Sequence, residues 1–510
     1  MANISISSNN KRVAKNTLLL YFRMFLTMAI TLFTSRVILR ALGVEDYGIY
    51  NVVGGVVAMM GVLNNAMAVS AQRYLTFELG RNNVERLNLV FNVSTIIYLI
   101  LSGFFLILAE TVGLWFLNTQ LIIPEERMVA ANWVYQFSIV CCIVGLMLAP
   151  YKASIIAHEE MGIYAYVSIG DSVLKLIIVY ILYISSFDKL ISYGALHLIV
   201  VVLVAATYYT FCHIKFEECR FKFLFDKQLF KELLSYSGWN IFGSAASLVK
   251  GQGINVLLNM FFTPAVNAAR GIAYQVNAAV SVFFTNFYTA VRPQITKYYA
   301  QEDMKNMMLL VFRSTKMACF LIVFLSIPII VETPFIIKLW LDIIPDYVIP
   351  FVRIIMIITM IDSMSHPLMT TAHATGRIKA YQFVVGMMNI MILPISYVAL
   401  KLGSGPVSVF FISLAMSVLC FGARMIVVKR LIDFPVKRYT IDVLFPCFLV
   451  TIISVIPPMV SHYLLPSGWL PVIITILISV FSTILCVYFI GLNRLEKDFV
   501  SNFIKSKLHR

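Results

Sequence analysis

The sequence predicts an all-α polytopic membrane protein, and three observations lead to that fold class. The 510 residues are 60% hydrophobic and 13% charged, whereas soluble domains are about 45–50% apolar and about 25% charged. Apolar runs of about 20 residues, the length that crosses the hydrocarbon core of a bilayer, recur along the whole chain. The polar connections between these runs are short, so we expect no inserted soluble domain.

Hydropathy predicts about 14 transmembrane helices. The predicted spans are 17–38, 49–69, 89–109, 132–151, 163–185, 190–212, 237–261, 271–291, 314–332, 348–371, 381–400, 406–428, 441–463 and 469–491. Most of the 40 Lys and Arg residues fall in alternate connections and in the two terminal segments. Because basic residues accumulate on the cytoplasmic side, both termini are predicted to be cytoplasmic.

The first span contains an arginine, which is costly in hydrocarbon and normally faces protein or water. On a helical wheel Arg23 and Thr27 share a face with Asn16 and Thr34, which predicts the wall of a polar cavity. The opposite, lipid-facing side is predicted to hold Leu19, Leu20, Met24, Ile30 and Phe33. The alternative is that Arg23 extends toward the headgroups near a helix end.

The chain then divides at a charge-rich central connection, residues 213–236. GIYNVVGGV at 48–56 and GIAYQVNAAV at 271–280 each open the second span of their half, which is a weak internal repeat. Transporters are often built from such repeats, with the substrate site between them. The predicted divisions are an N-terminal lobe (1–222), a C-terminal lobe (223–436), and two additional spans with the tail (437–510).

The seventh and eighth spans are unusually polar. The seventh carries a stripe with a lysine beside it, and the eighth begins near an arginine. These candidate binding residues are Asn240, Ser244, Ser247, Lys250, Asn255, Arg270 and Asn277. Small and polar residues at such spacings also hold helices together. That alternative accounts well for the Gly and Ser residues and less well for Lys250.

Three further groups of membrane charges have predicted roles. Asp171 and Lys175, four residues apart, are predicted to pair on one helix. Asp362, His366 and His373 follow one face of the tenth span with Thr370, a pattern that suits proton relay or cation binding. A buried polar contact is the alternative for that face. Arg424 and Asp442 are placed near span ends, where both can reach the interface.

Composition argues against several other classes. The net charge of +15 is spread over short loops, with no basic arm or aromatic-basic platform for nucleic acid. The eight cysteines form no CxxC pair, so they are predicted to be small hydrophobes with no metal. The short outer loops and the absence of a paired-carboxylate or Walker motif argue against an enzyme. We expect no cofactor, apart from Na⁺ or H⁺ as coupling ions.

Three stretches and the polar seventh span resemble the polysaccharide transporter family. The stretches are LGVEDYGIYNVV (42–53), RPQITKYYA (292–300) and ATGRIKAY (374–381). The family comprises Wzx-type O-antigen flippases, in the superfamily that also holds MATE exporters and the lipid II flippase. The resemblance implies two lobes around a central cavity, alternating access, and a cationic site that Arg23, Lys250 and Arg270 would fill.

The same resemblance implies a substrate and a location. The substrate would be an undecaprenyl-diphosphate-linked oligosaccharide, moved to the periplasmic leaflet of the bacterial inner membrane for lipopolysaccharide, capsule or exopolysaccharide synthesis. Its partners would be membrane lipids and the polysaccharide polymerase machinery. The main alternative is an ion-coupled drug or metabolite exporter of the same fold. A membrane enzyme acting on lipid-linked sugar is the weaker one.

Overall fold

The computed structural model describes residues 2–497, with gaps at 59–60, 120, 122, 185–186, 342–343, 467 and 495. Side chains are described from residue 13 onward, except at 32, 35, 36, 39, 44, 51, 52, 54–66 and 183. The tail from 498 to 510, part of the predicted last division, lies outside the described residues. Within the described part the chain is helical throughout and contains no β-strand.

Helices α1 to α9 make up the first part of the chain. Their bounds are α1 Ala2–Ala58, α2 Gly61–Arg81, α3 Val84–Leu108, α4 Leu114–Thr119, α5 Met128–Ala157, α6 Met161–Ile184, α7 Lys189–Lys215, α8 Lys227–Phe261 and α9 Pro264–Ala300. A π-helical turn at Ala109–Gly113 joins α3 to α4. Short 3-10 turns precede α5 and follow α7.

Helices α10 to α17 complete the described chain. Their bounds are α10 Met304–Val331, α11 Thr333–Leu341, α12 Val348–Thr375, α13 Lys379–Lys401, α14 Val407–Ile432, α15 Val436–Tyr439, α16 Phe445–Leu464 and α17 Trp469–Cys486. The predicted fold class, all-α and polytopic, is confirmed.

Eleven helical segments of the described chain are long and apolar enough to cross a membrane. They coincide with eleven of the fourteen predicted spans. The other three predicted spans fall on the end of α1 with the start of α2, on α8 and on α9. Helices α8 and α9 have 35 and 37 residues, and at about 1.5 Å per residue each exceeds the hydrocarbon thickness. Helices α8 and α9 are therefore long enough to cross, and it is their polar residues that keep them out of the set of eleven apolar segments.

The chain forms two compact units. Unit 1 comprises Met1–Ile241 and Thr296–Glu302, and unit 2 comprises Phe242–Ile295 and Asp303–Arg510. The chain therefore passes from one unit to the other inside α8 and again inside α9. The three predicted lobe boundaries stay a prediction.

Unit 1 packs around the long helices α5 and α7, with α1 against α6 and α2 against α5. Its buried core includes Val90, Phe91, Ile139 and Ile155. In unit 2, α12 lies between α10 and α14, and α16 pairs with α17. The rings of Phe351 and Phe410, 4.1 Å between centroids, mark the contact of α12 with α14.

A bend in α1 gives the LGVEDYGIYNVV stretch its structural meaning. Gly43 has φ 82° and ψ 170°, so α1 is two helices joined at a kink. Three residues later Asp46 accepts two hydrogen bonds from Arg127, at 2.8 and 2.5 Å. The same guanidinium donates to Asp188 at 2.6 Å. One arginine thus ties the chain after the kink to the starts of α5 and α7.

Candidate functional site

In unit 1 the predicted site residues lie where α1 meets α6. The Arg23 guanidinium carbon lies 4.8 Å from the ring centre of Tyr164, a cation–π contact. Thr27 donates its hydroxyl to the carbonyl of Arg23 at 2.8 Å. Asn16 donates its amide to the carbonyl of Glu159 at 3.2 Å. The polar face of α1 therefore has partners within unit 1.

The predicted lipid side of α1 is wrong at two positions. Leu20 is fully buried and Met24 is 5% exposed. Phe33 is exposed as predicted, and the other exposed large side chains of this segment are Leu18, Phe22, Phe25 and Met28. The reason is packing of α1 on α6 and α5, which buries a face wider than the polar stripe alone.

Unit 2 holds the remaining predicted cations, and Arg270 is the best defined of them. Its Nη2 donates to the carbonyl of Gly251 at 2.6 Å, and its Nη1 to Asn255 Oδ1 at 3.4 Å. Its guanidinium carbon lies 4.6 Å from the ring centre of Tyr274. Its Nε is buried and has no hydrogen-bond acceptor among the described residues. Arg270 therefore keeps donor capacity beyond its contacts with α8.

Asn277 joins two helices of unit 2. Its Oδ1 accepts hydrogen bonds from Ser281 at 3.0 Å and from Thr359 at 2.6 Å. Ser281 is on the same helix, whereas Thr359 is on α12. The side-chain oxygen of Asn277 thus has partners from two helices, and the polar spacing on α9 serves helix packing at this point.

The polar stripe of α8 serves more than one purpose. Ser247 donates to the carbonyl of Gly243 on its own helix at 3.1 Å. A Cβ at Gly253 would lie 2.5 Å from Leu393 of α13, so this glycine permits close helix approach. Asn240, in the unit 1 portion of α8, is buried, and Ser244 is half-buried.

Lys250 lies beside the polar stripe of α8 and differs from the residues of that stripe in its charge and in its lack of partners. It is half-buried and has no hydrogen bond or ion pair with any described residue. A lysine that enters a helix bundle without a carboxylate partner is costly for stability and is therefore a candidate for binding an anion.

The predicted polar face of α12 divides between two neighbours. Asp362 accepts a hydrogen bond from Ser417 of α14 at 2.8 Å. His366 instead stacks on Tyr288 of α9, with ring centres 5.2 Å apart, and lies 5.0 Å from Phe284. His373 is buried one helical turn from the end of α12, next to Tyr381. Asp362 and the two histidines therefore face different surroundings.

Arg424 is the residue that sequence reasoning placed wrongly. Helix α14 continues eight residues beyond it, and its Nε is buried without a hydrogen-bond acceptor in the described chain. The carboxylate of Asp362 is close enough to its guanidinium to interact electrostatically. The signal was present, because Ser417, Cys420 and Arg424 share one helical face. Asp442 forms an exposed ion pair with Arg438 at 3.1 Å, and its position at the interface stays a prediction.

Taken together, the parts of α8, α9, α12 and α14 that belong to unit 2 carry several cations and a single carboxylate. Lys250, Arg270 and Arg424 are cations, and Asp362 is the carboxylate beside Arg424. Guanidinium and ammonium groups form charge-assisted hydrogen bonds with phosphate, which suits this set to an anionic ligand. By contrast, the predicted Lys175–Asp171 pair of unit 1 is confirmed at 2.9 Å. Among the described residues no group of three His, Cys, Asp or Glu side chains is arranged for a metal.

Comparison with known proteins finds similarity in fold but not in sequence. No protein-family model and no curated protein sequence is significantly similar to the chain. Solved structures are similar over most of its length. An outward-facing multidrug resistance MATE family transporter of the MOP superfamily has a TM-score of 0.70 at 12% identity, covering 82% of this chain and 97% of its own. The chain has the MATE transporter fold.

Two further structures with the MATE fold support this assignment. A mutant of a Vibrio cholerae MATE transporter has a TM-score of 0.64 at 16% identity, covering 84% of this chain and 98% of its own. A MOP superfamily transporter from Pyrococcus furiosus, described as having a binding pocket of reverse polarity that suggests a different function, has a TM-score of 0.68 at 12% identity. It covers 82% of this chain and 96% of its own. With eleven helical segments of the described chain long and apolar enough to cross a membrane, the protein is a multi-pass membrane protein of this fold.

Proposed function

We propose that the protein is a flippase for undecaprenyl-diphosphate-linked oligosaccharide, which it moves from the cytoplasmic to the periplasmic leaflet by alternating access. The observation that carries the proposal is the excess of cations inside unit 2. A diphosphate cannot cross hydrocarbon unaided because removing its charges from water is expensive. Lys250, Arg270 and Arg424 offer the complementary charge within the membrane.

The hydrogen-bonding state of the two arginines supports this substrate class. Each has a buried Nε with no acceptor among the described residues, and a buried unsatisfied donor costs about 1–3 kcal/mol. An anionic ligand would supply acceptors to such donors. Arg424 has Asp362 nearby, and Arg270 is positioned by the Gly251 carbonyl. A few separated cations suit a transporter better than a dense cluster, because the ligand has to leave again.

The comparison with the Pyrococcus furiosus transporter adds a reason to infer the substrate class from the charge of the site. That protein is described as having a pocket of reverse polarity, which suggests a different function from its relatives. By the same criterion, a cationic interior favours an anionic substrate for the present chain. The resemblance of the sequence to polysaccharide transporters supports the same substrate, and with it the bacterial inner membrane and the surface-polysaccharide pathway.

Reconstituted flipping tests the proposal. Purified protein is placed in liposomes with a fluorescent undecaprenyl-diphosphate sugar, and a membrane-impermeant quencher reports the leaflet. Arg424→Gln is compared with Arg430→Gln, because Arg430 is exposed near the end of the same helix. Losing one charge-assisted hydrogen bond, about 1.5–3 kcal/mol, would slow flipping roughly tenfold or more for Arg424→Gln only. Equal rates for the two variants would remove Arg424 from the site.

The alternative function is an ion-coupled exporter, and Asp362 is the observation in its favour. Its carboxylate accepts a hydrogen bond from Ser417 and lies near Arg424, and carboxylates inside spanning helices often mark ion or proton pathways. Coupling to Na⁺ or H⁺ would then use Asp362, with His366 and His373 as the nearest candidates on the same helix. Asp362→Asn should change the pH or sodium dependence of transport. An unchanged dependence would separate transport from this carboxylate.

A further inference from the structure

A short connection in unit 1 exposes aromatic side chains outside any membrane-spanning helix. The 216–226 loop, between α7 and α8, has the sequence FEECRFKFLFD. Phe223 is 82% exposed, and Phe221, Leu224 and Phe225 are also exposed. Elsewhere most large exposed apolar side chains lie on the spanning helices, where lipid covers them. The apolar side chains of this loop lie outside those helices, so something other than the lipid around the spans has to shield them from water.

The loop is held in place on both sides of these exposed residues. Phe216 is buried and stacks on His158 with ring centres 4.0 Å apart, and Glu218 lies 2.6 Å from His158 Nε2. The Lys222 backbone N–H donates to the buried Asn92 side chain at 2.7 Å. The Asp226 side chain caps the start of α8. A segment anchored in this way presents its aromatic residues in a defined place.

Cations alternate with the aromatic residues. Arg220, Lys222 and Lys227 are exposed, and none has a side-chain ion pair with a described residue. The acidic residue Glu218 is buried and turned toward His158. Asp226 bonds to the backbone of α8. Glu217 is exposed, so the accessible surface is apolar and carries Arg220, Lys222 and the adjoining Lys227 against one exposed carboxylate, which leaves it positively charged overall.

The loop lies next to the bilayer surface. Helix α7 has 27 residues, about 40 Å at 1.5 Å per residue, which exceeds a hydrocarbon core of about 30 Å. The end of α7 thus reaches the headgroup region, and Ile214 is 77% exposed there. Aromatic side chains concentrate at this depth, and basic residues there attract anionic lipids.

We propose that the 216–226 loop is a lipid-contact site, in which Phe221, Phe223 and Phe225 enter the headgroup region while Arg220, Lys222 and Lys227 bind anionic phospholipid. The proposal is independent of the transported substrate. It rests on three observations: the exposed apolar surface, the cations without ion pairs, and the position of the loop directly after the end of α7. The leaflet concerned is the one where α7 ends.

Tryptophan quenching in liposomes tests this site with the full chain. Phe223→Trp adds one indole at an exposed position, and the wild-type protein supplies the background of the five native tryptophans. We expect the added emission to be quenched by lipids brominated near the top of the acyl chain and protected from iodide. Gln301→Trp, at an exposed position in the polar turn before α10, should show the opposite pattern.

Headgroup charge and the loop cations complete the test. Quenching by brominated lipid should be stronger in phosphatidylglycerol-containing than in pure phosphatidylcholine liposomes. Replacing Arg220, Lys222 and Lys227 by Gln should remove that difference. Iodide quenching of Phe223→Trp equal to that of Gln301→Trp would overturn the proposal. Protection from iodide without quenching by brominated lipid would indicate a protein partner and also overturn it, and indifference to headgroup charge would overturn the role of the cations.

Discussion

Three consecutive residues between α5 and α6 each pair with a different element of unit 1. His158 contacts Glu218, Glu159 pairs with Lys297, and Glu160 pairs with Lys215, all at 2.6 Å. The environments differ sharply. The Glu159 side chain is 1% exposed, whereas Glu160 and Lys215 are 36% and 47% exposed. This turn therefore places a buried and an exposed ion pair at adjacent positions.

Removing the lysine from each pair should give very different losses of stability. Lys297→Met removes the ammonium group that lies 2.6 Å from the buried Glu159 carboxylate, and breaking a buried pair in this way costs about 3–5 kcal/mol. Lys215→Met breaks an exposed pair and costs about 0–1 kcal/mol. Thermal unfolding in detergent measures both. Equal losses would show that burial of Glu159 does not govern the strength of its ion pair.

For single residues, the sequence predicts the position along a helix better than it predicts contacts with neighbouring helices. The Asp171–Lys175 pair follows from helical spacing alone, because both partners belong to one helix. Arg424 does not, because its burial depends on how α14 packs against α12 and α13. The prediction that Leu20 faces lipid is wrong for the same reason, because a helical wheel of α1 does not show which face packs against α6. Residue roles that depend on a second helix therefore needed the structure.

At the scale of elements, the kink of α1 depends on one glycine. Gly43 has positive φ with extended ψ, a conformation that is essentially restricted to glycine. A Cβ at Gly43 would meet no atom within 4 Å, so any penalty arises from the backbone and not from a clash. The kink allows Asp46 to approach Arg127.

Gly43→Ala should destabilise the protein by about 1–3 kcal/mol through backbone strain. The matched control is Gly48→Ala, five residues on. A Cβ there is equally unhindered and the backbone is helical, so alanine should be neutral or stabilising by up to about 1 kcal/mol. Unfolding midpoints of the two variants decide the matter. A neutral Gly43→Ala would mean that the kink does not need this glycine.

The arginine that ties three elements also makes stability depend on pH. Burial alone would raise the pKa of Asp188, but the Ile191 N–H and the Arg127 guanidinium oppose this and bring the pKa below its ordinary value. A lowered pKa stabilises the folded state above the unfolded pKa of about 3.9. That stabilisation is lost as pH falls through the folded value.

Asp188→Asn should therefore lower stability at neutral pH, with a difference from wild type that shrinks as pH falls below about 3.9 and disappears below the folded pKa of Asp188. Asparagine still caps α7, so the change isolates the charge. Asp226→Asn is the control, because Asp226 caps α8 without an ion pair among the described residues. A difference from wild type that persisted at low pH would exclude the ion pair as its cause.

The motifs that carry the family resemblance turn out to be structural elements. Gly43 and Asp46 of the first stretch form the kink and its ion pair. Lys297 of the second stretch pairs with Glu159. Gly376 of the third ends α12 with φ 77°. These residues specify a fold, which explains why the sequence predicted the superfamily architecture more securely than the substrate.

At the scale of the whole molecule, the polar character of α8 and α9 sets the topology. Fourteen crossings place both termini on one side of the membrane, whereas eleven place them on opposite sides. We expect α8, α9 and the segment around the start of α2 to cross, with both termini cytoplasmic. Reporter fusions at each terminus, one active only in the cytoplasm and one only outside, test this. Termini on opposite sides would contradict the fourteen-span prediction.

The fold class followed from composition and hydropathy because lipid restricts spanning segments to helices or closed barrels. The site followed only in part. Lys250, Arg270 and Asn277 were recognised as polar groups inside spans, but their partners on neighbouring helices were not. The central claim, that net positive charge inside unit 2 selects an anionic substrate, concerns the whole protein.

The most direct measurement compares two substrates of opposite charge in the same proteoliposomes. One is the fluorescent undecaprenyl-diphosphate sugar and the other a small amphiphilic cation, each followed with and without imposed sodium and proton gradients. The account predicts protein-dependent movement of the diphosphate and none of the cation. Transport of the cation, with no movement of the diphosphate under any gradient, would contradict it and establish an exporter.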